Sequence, residues 1–234
     1  MATLLVGEAE VPFHVHMDIL CRASPVFKSA FMGEFAEASE RSMTLPDDDP
    51  EAFENLLQWL YFKDIRLDMT AAQGSGEEAE QLYMHFVTLY VASDKYDIPG
   101  LKDGVVDRLY TCWSQSGSKV PYPDVVHYIY ENTAPKSPLR QLVADRWVWG
   151  TRLEAYTLPG IASTLRTLPL DFVVDLAIAM AARANGGKDP LNCRKTGSLM
   201  YHETKGRKAV CVSVVNTDNR KIVRASDSEA STTA

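Results

Sequence analysis

Long apolar runs are missing from this sequence. A membrane crossing takes about 20 consecutive apolar residues, and the nearest approach, Phe172 to Ala182, is short and carries Asp175. No basic stretch followed by an apolar one stands at the N-terminus, so no secretory signal is expected. Cysteine is scarce as well. Cys21, Cys112, Cys193 and Cys211 lie far apart, and no two form a C-x-x-C pair. Disulfide-stapled secreted scaffolds are small and dense in cysteine, and a chain of 234 residues with four cysteines is neither. The expected location is cytoplasmic, nuclear or both.

Catalytic signatures are missing too. The chain contains no G-x-S-x-G elbow, no G-x-x-x-x-G-K-[ST] loop, no G-x-G-x-x-G turn and no H-E-x-x-H pair. Cys21 would need a nearby base and a depressed pKa to act as a nucleophile. It stands between Leu20 and Arg22 beside an apolar run, the setting of a small buried side chain. His14, His16 and Asp18 alternate, so a strand would put them on one face, and such groups suit divalent ions. No further ligand occurs at a typical spacing. Asp47-Asp48-Asp49 lacks the central glycine and terminal glutamate of a calcium loop. A cap supplied by Asp49, with carboxylates near a helix N-terminus, accounts for the run. No catalytic residue, cofactor or metal ion is expected.

Positive charge is short over most of the chain. The formal net charge is −7, yet from Arg183 onward ten Lys/Arg stand against five Asp/Glu. The preceding residues therefore carry fourteen against twenty-six. An acidic body does not engage phosphates, so nucleic acid is not an expected partner, and the basic end reads as a solvated tail.

What is present is patterning. Thr3 to Val6 and Val11 to Val15 alternate as two strands of a hairpin, and Met43 with Leu45 forms a brief further strand. Asp18 is placed to cap a short helical turn carrying Ile19 and Leu20. Ser24-Pro25, Asp49-Pro50 and Ser137-Pro138 each repeat a cap followed by proline at the first helical position. After Asp49-Pro50, Phe53, Leu56, Leu57 and Leu60 make one apolar stripe. Gln73 to Gly76 reads as a loop, Glu77 to Tyr96 as a helix, and Leu101 to Trp113 as another. Pro123 opens a short helix, Ser137-Pro138 one with Leu139, Leu142, Val143, Arg146 and Trp147, and Asp171 to Arg183 a last one. Residues 208–215 and 221–223 suggest a strand pair, and 225–234 a disordered polar end.

Those residues carry a resemblance. Phe13-His14-Val15-His16, Ile19-Leu20, Ser24-Pro25-Val26-Phe27, Phe35-Ala36-Glu37, and Asp49-Pro50-Glu51-Ala52-Phe53 through Trp59-Leu60-Tyr61, with Ala92 to Lys102 downstream, resemble a BTB/POZ domain. The resemblance covers about residues 3–114. It implies an α+β fold, a small sheet flanked by a cluster of α-helices, with a helical extension over 122–184 and a flexible basic tail over 185–234. It implies a protein–protein interaction module with other proteins as partners.

Family members that bind cullin-type ubiquitin-ligase scaffolds carry a hydrophobic residue, any residue, then Glu. Phe35, Ala36 and Glu37 occupy that place here, which implies a substrate-recruiting adaptor with Tyr122 to Gly150 as its helical back segment. The alternative is a transcriptional or chromatin-associated scaffold without ligase function. Many members dimerise through a helix and strand ahead of the first hairpin. This sequence begins almost at that hairpin, at Thr3, which leaves self-association open.

Overall fold

The computed structural model describes residues 1–73, 76–115, 120–192 and 197–203. β1 (Ala2–Val6) is the central strand of three, with β2 (Val11–Val15) antiparallel on one side and β3 (Ser42–Leu45) parallel on the other. Ala2, Leu4 and Val6 are buried at alternate positions, as the pleat requires. Gly7 turns the hairpin at φ +76°, and an added Cβ there would stand 3.1 Å from the Pro50 ring. Backbone conformation and close approach both call for glycine.

Ten α-helices occur among the described residues: α1 (Met17–Ala23), α2 (Pro25–Met32), α3 (Ala36–Glu40), α4 (Pro50–Phe62), α5 (Gly76–Lys95), α6 (Pro99–Gln115), α7 (Pro123–Asn132), α8 (Pro138–Gly150), α9 (Pro159–Thr167) and α10 (Leu170–Ala184). The α+β class expected from the sequence is the observed one. Of the three cap–proline starts, two form their capping bond. Ser24 Oγ accepts from Phe27 N at 3.1 Å, and Asp49 Oδ1 accepts from Ala52 N at 2.7 Å. Ser137 sits at the N-cap of α8 without a capping bond, its hydroxyl facing the Tyr90 hydroxyl at 3.2 Å. Asp18 is not the cap of α1 either. His16 holds that position, and Asp18 lies in the first turn, where its charge still suits the helix dipole.

The acidic run is a tie between loop and core. Asp48 Oδ2 accepts from Lys95 Nζ at 2.6 Å and from the Tyr96 hydroxyl at 2.7 Å. Tyr96 in turn stacks on Phe27 at 4.4 Å between ring centroids, and its carbonyl accepts from Ser24 Oγ at 2.6 Å. One hydrophobic cluster runs from Leu4 and Phe53 through Leu109 and Trp113 to Ile129, Leu142 and Phe172. Residues 122–184 thus share a core with the first half of the chain.

The assignment of 185–234 to a flexible tail needs correction for residues 197–203, which lie on the body. Tyr201 is fully buried and donates to Asp145 Oδ2 at 2.8 Å. His202 Nε2 lies 2.8 Å from Asp107 Oδ1, with Asp103 Oδ2 at 3.9 Å from its other ring nitrogen. Glu203 pairs with the buried Lys102 at 2.5 Å. Apolar periodicity cannot show this strap, because polar pairs and a single aromatic hold it. Residues 204–234, including the expected strand pair and polar end, lie outside the described residues.

Burial works against charged His202, but the hydrogen bond to Asp107 and the charges of Asp107 and Asp103 outweigh it and raise its pKa. The stabilisation this supplies is complete below the unfolded value of about 6.5 and is lost as pH rises through the higher folded value. His202→Gln should therefore lower the urea midpoint most at pH 6, with the gap to the parent closing toward pH 9. A gap of constant size would contradict the assignment.

Candidate partner-binding surface

The segment between α2 and β3 projects Phe35, Ala36 and Glu37 outward. α2 is held inward by Phe27 and Phe31, which are buried, while Met32 at its end is 58% exposed. Gly33 follows in extended geometry. A Cβ at Gly33 would stand 2.4 Å from the Ser29 carbonyl oxygen and 3.2 Å from the Phe35 ring. Glycine therefore permits the chain to turn here with the Phe35 ring lying against it. Phe35 is the N-cap residue of α3, with no side-chain capping bond to hold it inward, and is 63% exposed. Glu37 lies in the first turn of α3, half-buried, and Ala36 is exposed.

α3 is short, closed by local bonds at its start and tied to the sheet at its end. Ser39 Oγ donates to the Ala36 carbonyl at 2.8 Å, and Ala38 N to the Phe35 carbonyl at 3.1 Å. Arg41 closes the helix at φ +53°, and its carbonyl accepts from Thr3 N of the central strand at 2.9 Å. The apolar knob and the carboxylate are thus presented by a turn pinned to the sheet. Phe35 is an exposed aromatic two positions before a half-buried carboxylate.

The other side chains weighed from the sequence are spoken for. His14 Nδ1 meets Thr3 Oγ1 at 3.2 Å, and His16 Nδ1 meets the Tyr61 hydroxyl at 2.8 Å. β2 ends at Val15, so only His14 is on the strand: His16 is the N-cap of α1 and Asp18 lies in its first turn, and the expected shared face does not form. Cys21 is buried, its Sγ 3.9 Å from the Phe27 carbonyl oxygen. Burial and then Asp18 push its thiol upward, opposite to nucleophile activation. A groove of about 460 Å³ holds His85 beside Glu51 at 3.4 Å. Its Asp68 carboxylate is already engaged by the Thr70 amide and hydroxyl, at 2.9 and 2.8 Å.

Two features escaped the sequence reading. Met32, 58% exposed at the end of α2, adds apolar surface three positions from Phe35, and no periodic pattern marks it. Arg140, on a helix expected to be defined by its apolar stripe, is buried and donates to the C-terminal carbonyls of α7. No helix among the described residues is long and apolar enough to cross a membrane.

Residues 2–111 match the family model of the BTB/POZ domain. The chain carries a BTB/POZ domain. That domain is a protein–protein interaction module, which is the function class the resemblance implied. The BTB/POZ and MATH domain-containing protein 5 of Arabidopsis thaliana is 36% identical over 94 residues, covering 38% of this chain and 23% of the relative. A BTB/POZ domain-containing protein of the same plant is 31% identical over 98 residues, covering 42% of this chain and 41% of the relative. The chain thus spans less than half the length of either relative.

Proposed function

We propose that this BTB/POZ chain is a substrate-recruiting adaptor that docks a cullin-type ubiquitin-ligase scaffold through Phe35 and Glu37. The observation that supports it is the 63% exposure of Phe35 on a turn fixed to the central strand. A large aromatic held outside a well-filled core has a use in binding rather than in stability. The neighbouring Met32 widens the apolar contact, and Glu37 supplies a charge that sets orientation. Helices α7 and α8, packed on the same core, form the rigid segment behind the domain.

The test is retention of the full chain by purified cullin scaffold, with Phe35→Ala and Glu37→Ala alone and together. A central aromatic anchor contributes about 2 kcal/mol or more, so Phe35→Ala should weaken binding about 30-fold. The unfolding midpoint should stay where it is, because Phe35 contributes little to the core. A parent chain that the scaffold does not retain, or a Phe35→Ala variant that binds as tightly, would overturn the proposal.

A further inference from the structure

α10 is apolar on two faces. On one, Phe172 and Leu176 are buried, and the Phe172 ring meets Tyr130 of α7 and Trp147 of α8, each at 5.5 Å between centroids. On the other, Leu170, Val174 and Ile178 are 77%, 49% and 64% exposed. Ala177, Ala181 and Ala184 are exposed with them. A helix in contact with solvent normally carries polar residues on its outward side. The later charges of α10 are instead engaged by its own domain. Asp175 accepts from the Tyr130 hydroxyl at 2.8 Å, and Arg183 Nη1 donates to the carbonyls of Val148 and Thr151. Asp171, in the first turn, stands 3.8 Å from Arg140 and flanks the face at its N-terminal end.

The face has an internal order. Leu170, Val174, Ala177, Ala181 and Ala184 are spaced four, three, four and three residues apart, the heptad spacing with which two helices pack along a seam. Ile178 flanks it. The seam is bulky at its N-terminal end and small at its C-terminal end. Two such seams in parallel would set Leu170 on Leu170 and leave Ala184 facing Ala184 across a gap. Antiparallel, about a two-fold axis at Ala177, Leu170 faces Ala184 and Val174 faces Ala181, so each bulky side chain meets a small one. The helix ends brought together then carry partial charges of opposite sign. A face that complements itself end for end is what an isologous pair requires. Burying the three large side chains and the alanines of the seam in two copies removes on the order of 1,000 Å² from water, the lower bound of a specific interface.

We propose that α10 is a self-association surface, on which a second copy of this chain packs its own α10 antiparallel about a two-fold axis at Ala177. An interface of this size gives a weak, reversible dimer, with Kd on the order of 10 μM. The contact uses no residue of the sheet or of the Phe35–Glu37 turn, and the pair carries two such turns.

The test is sedimentation equilibrium of the full chain at up to about 200 μM, well above that constant. The parent should approach the mass of two chains. Val174→Lys combined with Ala181→Lys should raise Kd about tenfold or more, with the unfolding midpoint unchanged because both positions are exposed. Orientation is read by oxidative cross-linking in a chain with Cys193→Ser and Cys211→Ser. Ala177→Cys, on the axis, should bridge two copies, and Leu170→Cys should not. A parent that stays a single chain at about 200 μM would overturn the proposal. A double variant that dimerises as tightly as the parent would move self-association to another face, and a Leu170→Cys bridge as complete as that of Ala177→Cys would make the pair parallel; either result overturns it equally.

Discussion

Tyr201→Ala should lower the unfolding free energy of the full chain by about 3–5 kcal/mol, the range for removing a fully buried aromatic side chain from a packed site. Tyr201 has no exposed surface, and its ring belongs to the main hydrophobic cluster. Its hydroxyl is also the hydrogen-bond partner of Asp145, a carboxylate that burial already pushes above its ordinary range. The Tyr201 bond works the other way, favouring the charged carboxylate. Truncation therefore leaves a cavity and a buried acid without that donor. Tyr201→Phe separates the two effects. It keeps the ring and removes the donor, so it should cost about 1–3 kcal/mol, as expected for a buried polar group left without its partner. Urea denaturation followed by fluorescence gives both values. If Tyr201→Ala unfolds at the parent's midpoint, the strap is an appendage and residues 197–203 do not belong to the core.

The reason this strap was illegible in the sequence is physical. Helices such as α4 declare themselves because Phe53, Leu56 and Leu60 repeat with the helical period and a capped proline precedes them. The hairpin declares itself by alternation at Ala2, Leu4 and Val6. Residues 197–203 repeat nothing. Their place is fixed by Tyr201 meeting Asp145, His202 meeting Asp107, and Glu203 meeting Lys102, partners separated by 56, 95 and about 100 positions. α9 was missed for a related reason. Its sequence, PGIASTLRT, is poor in helix formers, and Ile161 and Leu165 pack on the core from it. The Phe35-Ala36-Glu37 pattern was visible, but its presentation depends on Gly33 and on the Arg41 carbonyl reaching β1, neither of which a three-residue pattern contains.

Arg140 offers the sharper test of how the second half of the chain is held. Its Nε donates to Thr133 Oγ1 at 3.0 Å, one terminal nitrogen donates to the Tyr130 carbonyl at 2.7 Å, and the same nitrogen donates to the Thr133 carbonyl. These acceptors lie at the end of α7, where helical carbonyls lack partners of their own. The guanidinium also lies over the Tyr130 ring, 4.4 Å from its centroid, and the Tyr130 hydroxyl donates to Asp175 of α10 at 2.8 Å. One buried side chain thus joins α7 to α8 while stacking on the residue that reaches α10.

Arg140→Met retains much of the apolar stem and strands three acceptors. With about 1–3 kcal/mol for each buried group left unsatisfied, and incomplete additivity between neighbours, the loss should be about 3–5 kcal/mol. Arg140→Lys should recover only part of it, because an ammonium is a point charge and cannot reproduce the planar fork. The expected order of unfolding midpoints is parent, then Lys, then Met. A Met variant as stable as the parent would mean that water satisfies the α7 carbonyls, and the junction would then owe its stability to the apolar contacts of Leu139, Leu142 and Phe172 alone.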